Sequence, residues 1–417
     1  MDVAGYVIIG NGVAAVGCIE GIRSVDKTTP IVVISEEPHP TYCRPLISYY
    51  LEGKTDTERM HYRPKDFYEK NSCTVHYGKK AQQIAVDRKT VLLEDGTEIP
   101  YTAVCVATGS APFVPPFQGL ETVEKKFSFM TLDDTLALEQ ALTPDSRVLI
   151  VGAGLIGLKC AEGISARVGS ITVCDLAPRV LSSIMDDTCA GMMQAELEAH
   201  GIHFLLGDTA TQFKGNTAVM KSGKELDFDV LVLAVGVRPN VTLVKDAGGS
   251  VNRGILTDAQ MQTTLADIYA AGDCVETDDI SLGQKRIMAI LPNAYMQGHC
   301  AGVNMAGGTE RFDNGIPMNS IGFFGLHAMT AGSYFTQADG GEMTEERGER
   351  TLKRLFCKDG YLTGFMLIGN TDRAGIYTSL IREQVPLNTV DFDLLKKVVT
   401  SAAFSPETRG KKFGGVV

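Results

Sequence analysis

The sequence predicts an α/β protein made of two three-layer domains on parallel sheets, followed by a small α+β domain. Three observations carry that expectation. A strand, a glycine turn and a helix open the chain. The same unit restarts about 140 residues later, a spacing on the scale of a whole domain rather than of a short solenoid repeat. Beyond Arg311 the pattern changes to aromatic-rich, strand-like stretches. With 417 residues the chain is long enough to bury two or three cores.

Taken in order, Val7–Gly10 is an apolar strand, 13–22 has helical spacing, and 31–34 is a β-branched strand ending in Ser35-Glu36-Glu37. In the second copy, 148–151 is a strand, 152–157 the turn, 158–168 a helix, and 171–174 a strand ending at Asp175. Residues 229–235 and 268–271 read as buried strands leading to Gly236 and to Gly272-Asp273. In the third region 321–324 and 361–368 read as strands and 374–383 as a helix. The charged run 342–350 reads as a solvated turn, and 410–417 as a tail without a core pattern. The expected division is 1–112 with 255–312, 113–254, and 313–417.

Apolar content of 44% and charged content of 21% are ordinary for a globular protein, and the 44 glycines point to turns that approach ligands. A net charge of -11 argues against a nucleic-acid partner and favours a basic protein patch as complement. The first ten residues lack the pattern of a secretory leader, and no apolar run approaches the roughly 18–20 residues of a membrane span, so a cytoplasmic protein is expected. The ten cysteines form no CxxC and the seven histidines no ligand spacing, so no metal site is expected. Most cysteines read as small apolar core residues, as do Met192 and Met193, and His299 reads as structural.

Gly10-Asn11-Gly12-Val13-Ala14-Ala15 lies between the first strand and its helix, with Glu36 closing the next strand. The first glycine permits the tight turn, the second lets backbone approach a pyrophosphate at the helix N-terminus, and Ala15 takes the close-packed third position. A lone glycine triplet is more often a mere turn; here strand, helix and acid agree on a dinucleotide, with Glu36 accepting from the adenosine ribose. Gly152-Ala153-Gly154-Leu155-Ile156-Gly157 holds all three glycines, and Asp175 ends its following strand. A carboxylate there bonds a ribose 2′-hydroxyl and repels a 2′-phosphate, so NADH is expected over NADPH, a preference that Arg179 nearby weakens only slightly.

With these loops the chain resembles the two-dinucleotide flavoproteins of the pyridine nucleotide-disulfide oxidoreductase superfamily. Among them are NADH–rubredoxin reductases, ferredoxin reductases of oxygenase systems, the N-terminal part of NADH-dependent nitrite reductase, and FAD subunits of NAD-linked aldehyde or phenylglyoxylate dehydrogenase complexes. The resemblance runs through Val106-Ala107-Thr108-Gly109-Ser110, similar to the segment closing over FAD, and Gly236 in Val235–Asn240, similar to the domain-crossing turn. It continues through Thr263 to Gly272-Asp273, the second FAD fingerprint, and through Pro292-Asn293-Ala294 with Gln297-Gly298, the helix start that meets the isoalloxazine. It implies two Rossmann-like domains, FAD on the first loop, NAD(H) on the second, and a ribitol contact for Asp273. Ala81 completes the expected FAD contacts. Hydride transfer between nicotinamide and flavin follows, and then single electrons to an iron–sulfur or rubredoxin-type protein.

Tyr42-Cys43-Arg44-Pro45-Leu46 resembles the flavin-side segment. Pro45 stands where disulfide and coenzyme A branches carry a redox cysteine, so Cys43 is expected to be a loop thiol. Arg44 lies near the flavin or pairs with a surface carboxylate. Oxygenase-type relatives pair a lysine after the Arg-Pro segment with a glutamate after the NAD loop; this chain has Tyr49 and Lys159 there. Lys159 then either presents an unpaired charge to the reduced flavin or points to Glu162 or solvent. The chain reads as a reductase of a small electron carrier or, preferably, the flavin subunit of a larger complex. The other readings are a stand-alone NADH oxidase, peroxidase or disulfide reductase, and a sensor or scaffold binding FAD and NAD without turnover.

Overall fold

The computed structural model describes residues 4–413. They form two compact units: one takes the chain up to Leu176, Gly201–Asp278 and Lys285–Asp313, the other Ala177–His200, Asp279–Gln284 and the chain from Asn314.

The first unit holds two parallel sheets of the same design. One runs Cys73–Tyr77, Ile31–Ser35, Gly5–Ile9, Glu98–Val106, Ile268–Ala270. The other runs Ile202–Leu206, Ser170–Asp175, Arg147–Val151, Val230–Leu233, Lys126–Phe127. Strands buried on both faces need continuous apolar runs, and Val7, Ile8, Val104, Leu149, Ile150 and Leu231 are fully buried. Antiparallel additions hang on each sheet: Ala81–Ala85 with Thr90–Leu93 on the first, and Ala210–Lys214, Thr217–Met220, Glu225–Asp227 beside the second. Two antiparallel strands, Ser110–Pro112 and Val237–Pro239, carry the chain between the halves.

The helix after the first glycine turn, Val13–Val25, packs on Leu291–Met305 with its backbone almost in contact. A Cβ on Gly17 would lie 2.2 Å from the Tyr295 carbonyl oxygen, one on Gly21 2.2 Å from that of His299, and one on Gly298 1.9 Å from that of Ala14. The contacts advance together along both helices, so the two run parallel and their N-termini open on the same side. The helix after the second turn is Leu155–Ile164, starting three residues and ending four residues before its sequence pattern suggests. It starts at the glycine turn itself, and it stops where the Ser165 hydroxyl bonds the Glu162 carbonyl at 2.8 Å.

The second unit is built on an antiparallel sheet ordered Met318–Phe323, Leu326–Gly332, Tyr361–Ile368, Leu352–Lys358, Glu342–Arg347. Gly375–Arg382 packs on it through Tyr377, whose ring meets Phe365 and whose hydroxyl donates to the Leu395 carbonyl at 2.6 Å. The run expected as a solvated turn is instead largely the edge strand Glu342–Arg347. Its charges pair across strands, Glu345 with Arg354 and Glu346 with Lys353, which keeps a polar strand in register and blunts the edge. The expected tail is helical as far as Phe413, within Pro406–Phe413; residues 414–417 lie outside the described residues. The stretch Ala177–His200, expected with the 113–254 segment, groups with this unit, where Asp186 pairs with Arg354 and the Cys189 thiol meets the Met366 sulfur at 3.6 Å. Met193 is buried in the same unit, while Met192 is only half-buried.

Candidate functional site

Two glycine turns of one geometry lie at the carboxyl ends of the two sheets. Gly10 has φ 110° and Gly152 φ 117°, values that L side chains rarely adopt. A Cβ there would strike the Ala107 carbonyl oxygen at 2.1 Å in the first case and that of Ala234 at 2.2 Å in the second. Gly12 and Gly154 differ: each caps its helix in extended backbone, and a Cβ on either would meet nothing within 4 Å. The backbone N–H groups of the first turns, at Val13, Ala14, Ala15 and at Leu155, Ile156, Gly157, precede the first intrahelical bonds, which Val16 and Leu158 donate to the Gly12 and Gly154 carbonyls. Gly157 is close-packed, its Cβ position 2.0 Å from the Gly152 carbonyl oxygen. The open faces beside Gly12 and Gly154 fit two pyrophosphates, and the residues present suit FAD and a nicotinamide nucleotide.

The acids differ in their present engagement. Glu36 is exposed and held by Lys80 at 2.8 Å, one residue before Ala81 in the adjoining hairpin. Asp175 accepts from the Ala153 N–H at 2.7 Å, which ties the strand end to the glycine turn.

Around the first loop, Gly272 has φ 87°, and its N–H donates to the buried Gln297 Oε1 at 2.9 Å. This turn presents Asp273, whose carboxyl is pushed up by burial and pulled down by the Arg44 charge and the Ser110 hydroxyl. Ala294 lies 3.8 Å from the Gly272 Cβ position, so the start of Leu291–Met305 adjoins the fingerprint. Thr108 and Gly109 clasp Asn240: the Asn240 amide donates to the Thr108 carbonyl at 2.8 Å, and its N–H to that of Gly109 at 2.9 Å. Gly236, φ 114°, accepts from Phe113 N–H at 2.9 Å in the same crossing.

Arg44 and Pro45 form the tight turn Arg44–Leu46, with Cys43 before it. Arg44 pairs with Glu37 at 2.6 Å, as the paired-carboxylate reading expects, and feels the Asp273 charge. Burial pushes the Cys43 thiol up, and among the described residues every cysteine is free. Of the two readings of Lys159, the pairing one is seen and the unpaired one is not: its ammonium pairs with the buried carboxylate of Glu162 one helical turn on, and sits 4.9 Å from the centre of the Tyr49 ring. Burying a lone ammonium is costly, and position i+3 supplies a carboxylate. His299 Nδ1 donates to the Glu310 carboxylate at 2.9 Å.

Sequence reasoning missed the roles of Glu37 and of the glycines at 17, 21 and 302, and placed Gln297 and Gly298 only within a helix start. Gln297 sat within a quoted motif; the glycine pairs carry a four-residue spacing that signals close helix contact.

Among the described residues no group of three His, Cys, Asp or Glu could hold a metal ion, and no helix is long and apolar enough to cross a membrane.

Residues 4–298 match the family described as pyridine nucleotide-disulphide oxidoreductase. The chain is 31% identical over 391 residues to the epsilon subunit of NADH-dependent phenylglyoxylate dehydrogenase of Aromatoleum evansii, covering 92% of each. It is 30% identical over 418 residues to the electron transfer subunit of assimilatory nitrate reductase of Bacillus subtilis (strain 168), spanning 98% of this chain and only 52% of that relative. In fold it is similar to the reductase of a covalent putidaredoxin reductase–putidaredoxin complex, with TM-score 0.85, 21% identity and 99% of each chain covered. The chain therefore belongs to the pyridine nucleotide-disulphide oxidoreductase family, as an FAD-dependent oxidoreductase that uses NAD(H).

Proposed function

We propose that this protein moves electrons between NAD(H) and a one-electron iron protein, iron–sulfur or rubredoxin-type, as the flavin subunit of a larger dehydrogenase or reductase assembly in the cytoplasm. One observation carries the reading. The flavin-side turn offers Pro45 and a half-buried Cys43, and burial pushes that thiol up, which disfavours the thiolate that disulfide or peroxide chemistry needs. The similarity over 92% of both lengths to a dehydrogenase subunit, and to the electron transfer subunit of a nitrate reductase, supports the assembly role.

In this reading Gly10, Gly12, Val13, Ala14, Ala15 and Glu36 cradle the FAD pyrophosphate and ribose, and Ala81, Ala107, Thr108, Gly109, Gly272, Asp273 and Ala294 line the rest. Arg44 supplies a fixed cation there. Gly152, Gly154, Leu155, Ile156, Gly157, Asp175 and Gly236 take the nicotinamide nucleotide. Bound FAD supplies a hydride acceptor that releases electrons singly. The chain's residues position: the two helix N-termini hold anions, and the Thr108–Asn240 clasp fixes the crossing between the halves. Lys159 and Glu162 act as a neutral pair beside Tyr49. We assign residues 1–112 and 255–312 to FAD, 113–254 to NAD(H), and the remainder to partner docking.

The holoenzyme under anaerobic NADH, mixed with a rubredoxin or a plant-type ferredoxin, tests this. Reduction of the iron protein at catalytic flavoprotein concentration is expected. Turnover confined to oxygen, peroxide or a disulfide would overturn it.

A further inference from the structure

Glu37 is the hub of a polar cluster that joins the first glycine-loop half to the start of the second. Its Oε1 accepts from Arg44 Nη2 at 2.6 Å and its Oε2 from the Tyr42 hydroxyl at 2.6 Å. The other arm of Arg44, Nη1, donates to the Met130 carbonyl at 2.6 Å, and the Tyr42 hydroxyl accepts from the Leu132 N–H at 2.9 Å. Leu132 begins the first helix of the nucleotide half, Leu132–Ala141, capped by Thr131 and Asp134. His39 adds a contact to Asp133 at 2.7 Å in the same place.

A guanidinium has two arms in a fixed plane, so its direction is set by what both arms grip. Arg44 pairs with Glu37 and feels the charge of a second carboxylate, Asp273. With Glu37 taking one arm and Met130 the other, the cation is held off a direct pair with Asp273 and remains available to an anionic ligand. We propose that Glu37 is a positioning residue: one carboxylate fixes Arg44 at the FAD cradle and, through Tyr42 and Arg44, fixes the Met130–Leu132 backbone on which the NAD(H) half begins. Loss of Glu37 frees Arg44 to swing to Asp273, which removes two groups from the cradle at once. The proposal rests on the reading that Arg44 serves bound FAD.

The test is titration of apoprotein with FAD, followed by flavin fluorescence, for wild type, Glu37→Gln, Arg44→Met and the double variant, each with an apoprotein melting curve. Glu37→Gln is expected to weaken FAD about tenfold, Arg44→Met at least as much, and the double variant no more than Arg44→Met, since Glu37 acts through Arg44. Steady-state KM for NADH, with ferricyanide as acceptor, is expected to rise in both single variants. Should Glu37→Gln apoprotein fail to fold, Glu37→Asp replaces it, with a smaller loss expected because the charge stays and the reach shortens. An unchanged FAD dissociation constant in the Glu37 variant, or losses that multiply in the double variant, would overturn the proposal. Wild-type FAD binding in Arg44→Met would instead overturn the underlying reading, so the two failures are distinct.

Discussion

At the scale of single residues, the chemistry turns on Cys43 and on the charges near it. Burial raises the thiol, so at neutral pH the thiolate fraction lies below that of a free cysteine and grows as pH rises. Two outcomes are expected: alkylation of native protein by iodoacetamide at Cys43 is slower than alkylation of a free thiol at pH 8 and accelerates with pH, and Cys43→Ser reduces its flavin with NADH as fast as wild type. Mass spectrometry of the alkylated peptide and stopped-flow absorbance check them; rapid alkylation at neutral pH, or loss of flavin reduction, would contradict the loop-thiol assignment. Lys159 shows what sequence can and cannot carry at this scale. Its partner Glu162 stands three residues on and was readable from helical spacing, whereas the Tyr49 ring beneath it comes from another helix. Glu37 and Arg44 lie seven residues apart with no periodic relation, and only the folded turn brings them together.

At the scale of elements, the glycines divide into two kinds that a sequence displays identically. Gly12 faces open space, whereas Gly298 is pressed against the Ala14 carbonyl. Gly298→Ala is expected to destabilise the apoprotein by about 1–3 kcal/mol or more, since a Cβ would overlap backbone that cannot yield. Gly12→Ala is expected to leave the apoprotein melting temperature near that of wild type and to weaken FAD binding, because the methyl group enters the space that a pyrophosphate takes. Equal melting losses in the two variants would contradict this division. The glycine loops themselves were legible because their cause is local: a positive φ, a strand before, a helix after, an acid at the next strand end. The parallel contact of 13–25 with 291–305 joins segments hundreds of residues apart, and nothing local announces it. The strand Glu342–Arg347 was misread for a related reason. A charged edge strand has the composition of a turn, and its stabilising partners Lys353 and Arg354 lie on the neighbouring strand.

At the scale of the whole molecule, the duplicated design makes the protein a positioning device. Two parallel sheets that share the order of their first four strands each carry a glycine turn, and the paired strands Ser110–Pro112 and Val237–Pro239 hold the halves in one unit. This duplication was visible as the repeated strand, turn and acid, which is why fold class and cofactors could be read before the structure. The acceptor was not visible, because partner choice resides in surface shape and charge rather than in the loops. The central claim is that electrons from NADH stop at the flavin alone before leaving to another protein. Anaerobic titration of the holoenzyme with NADH, monitoring flavin absorbance with free thiols counted before and after, tests it most directly. About one NADH per flavin is expected to complete the bleaching with the thiol count unchanged. Uptake of about two NADH per flavin with newly exposed thiols would show a redox-active cysteine centre and contradict the account.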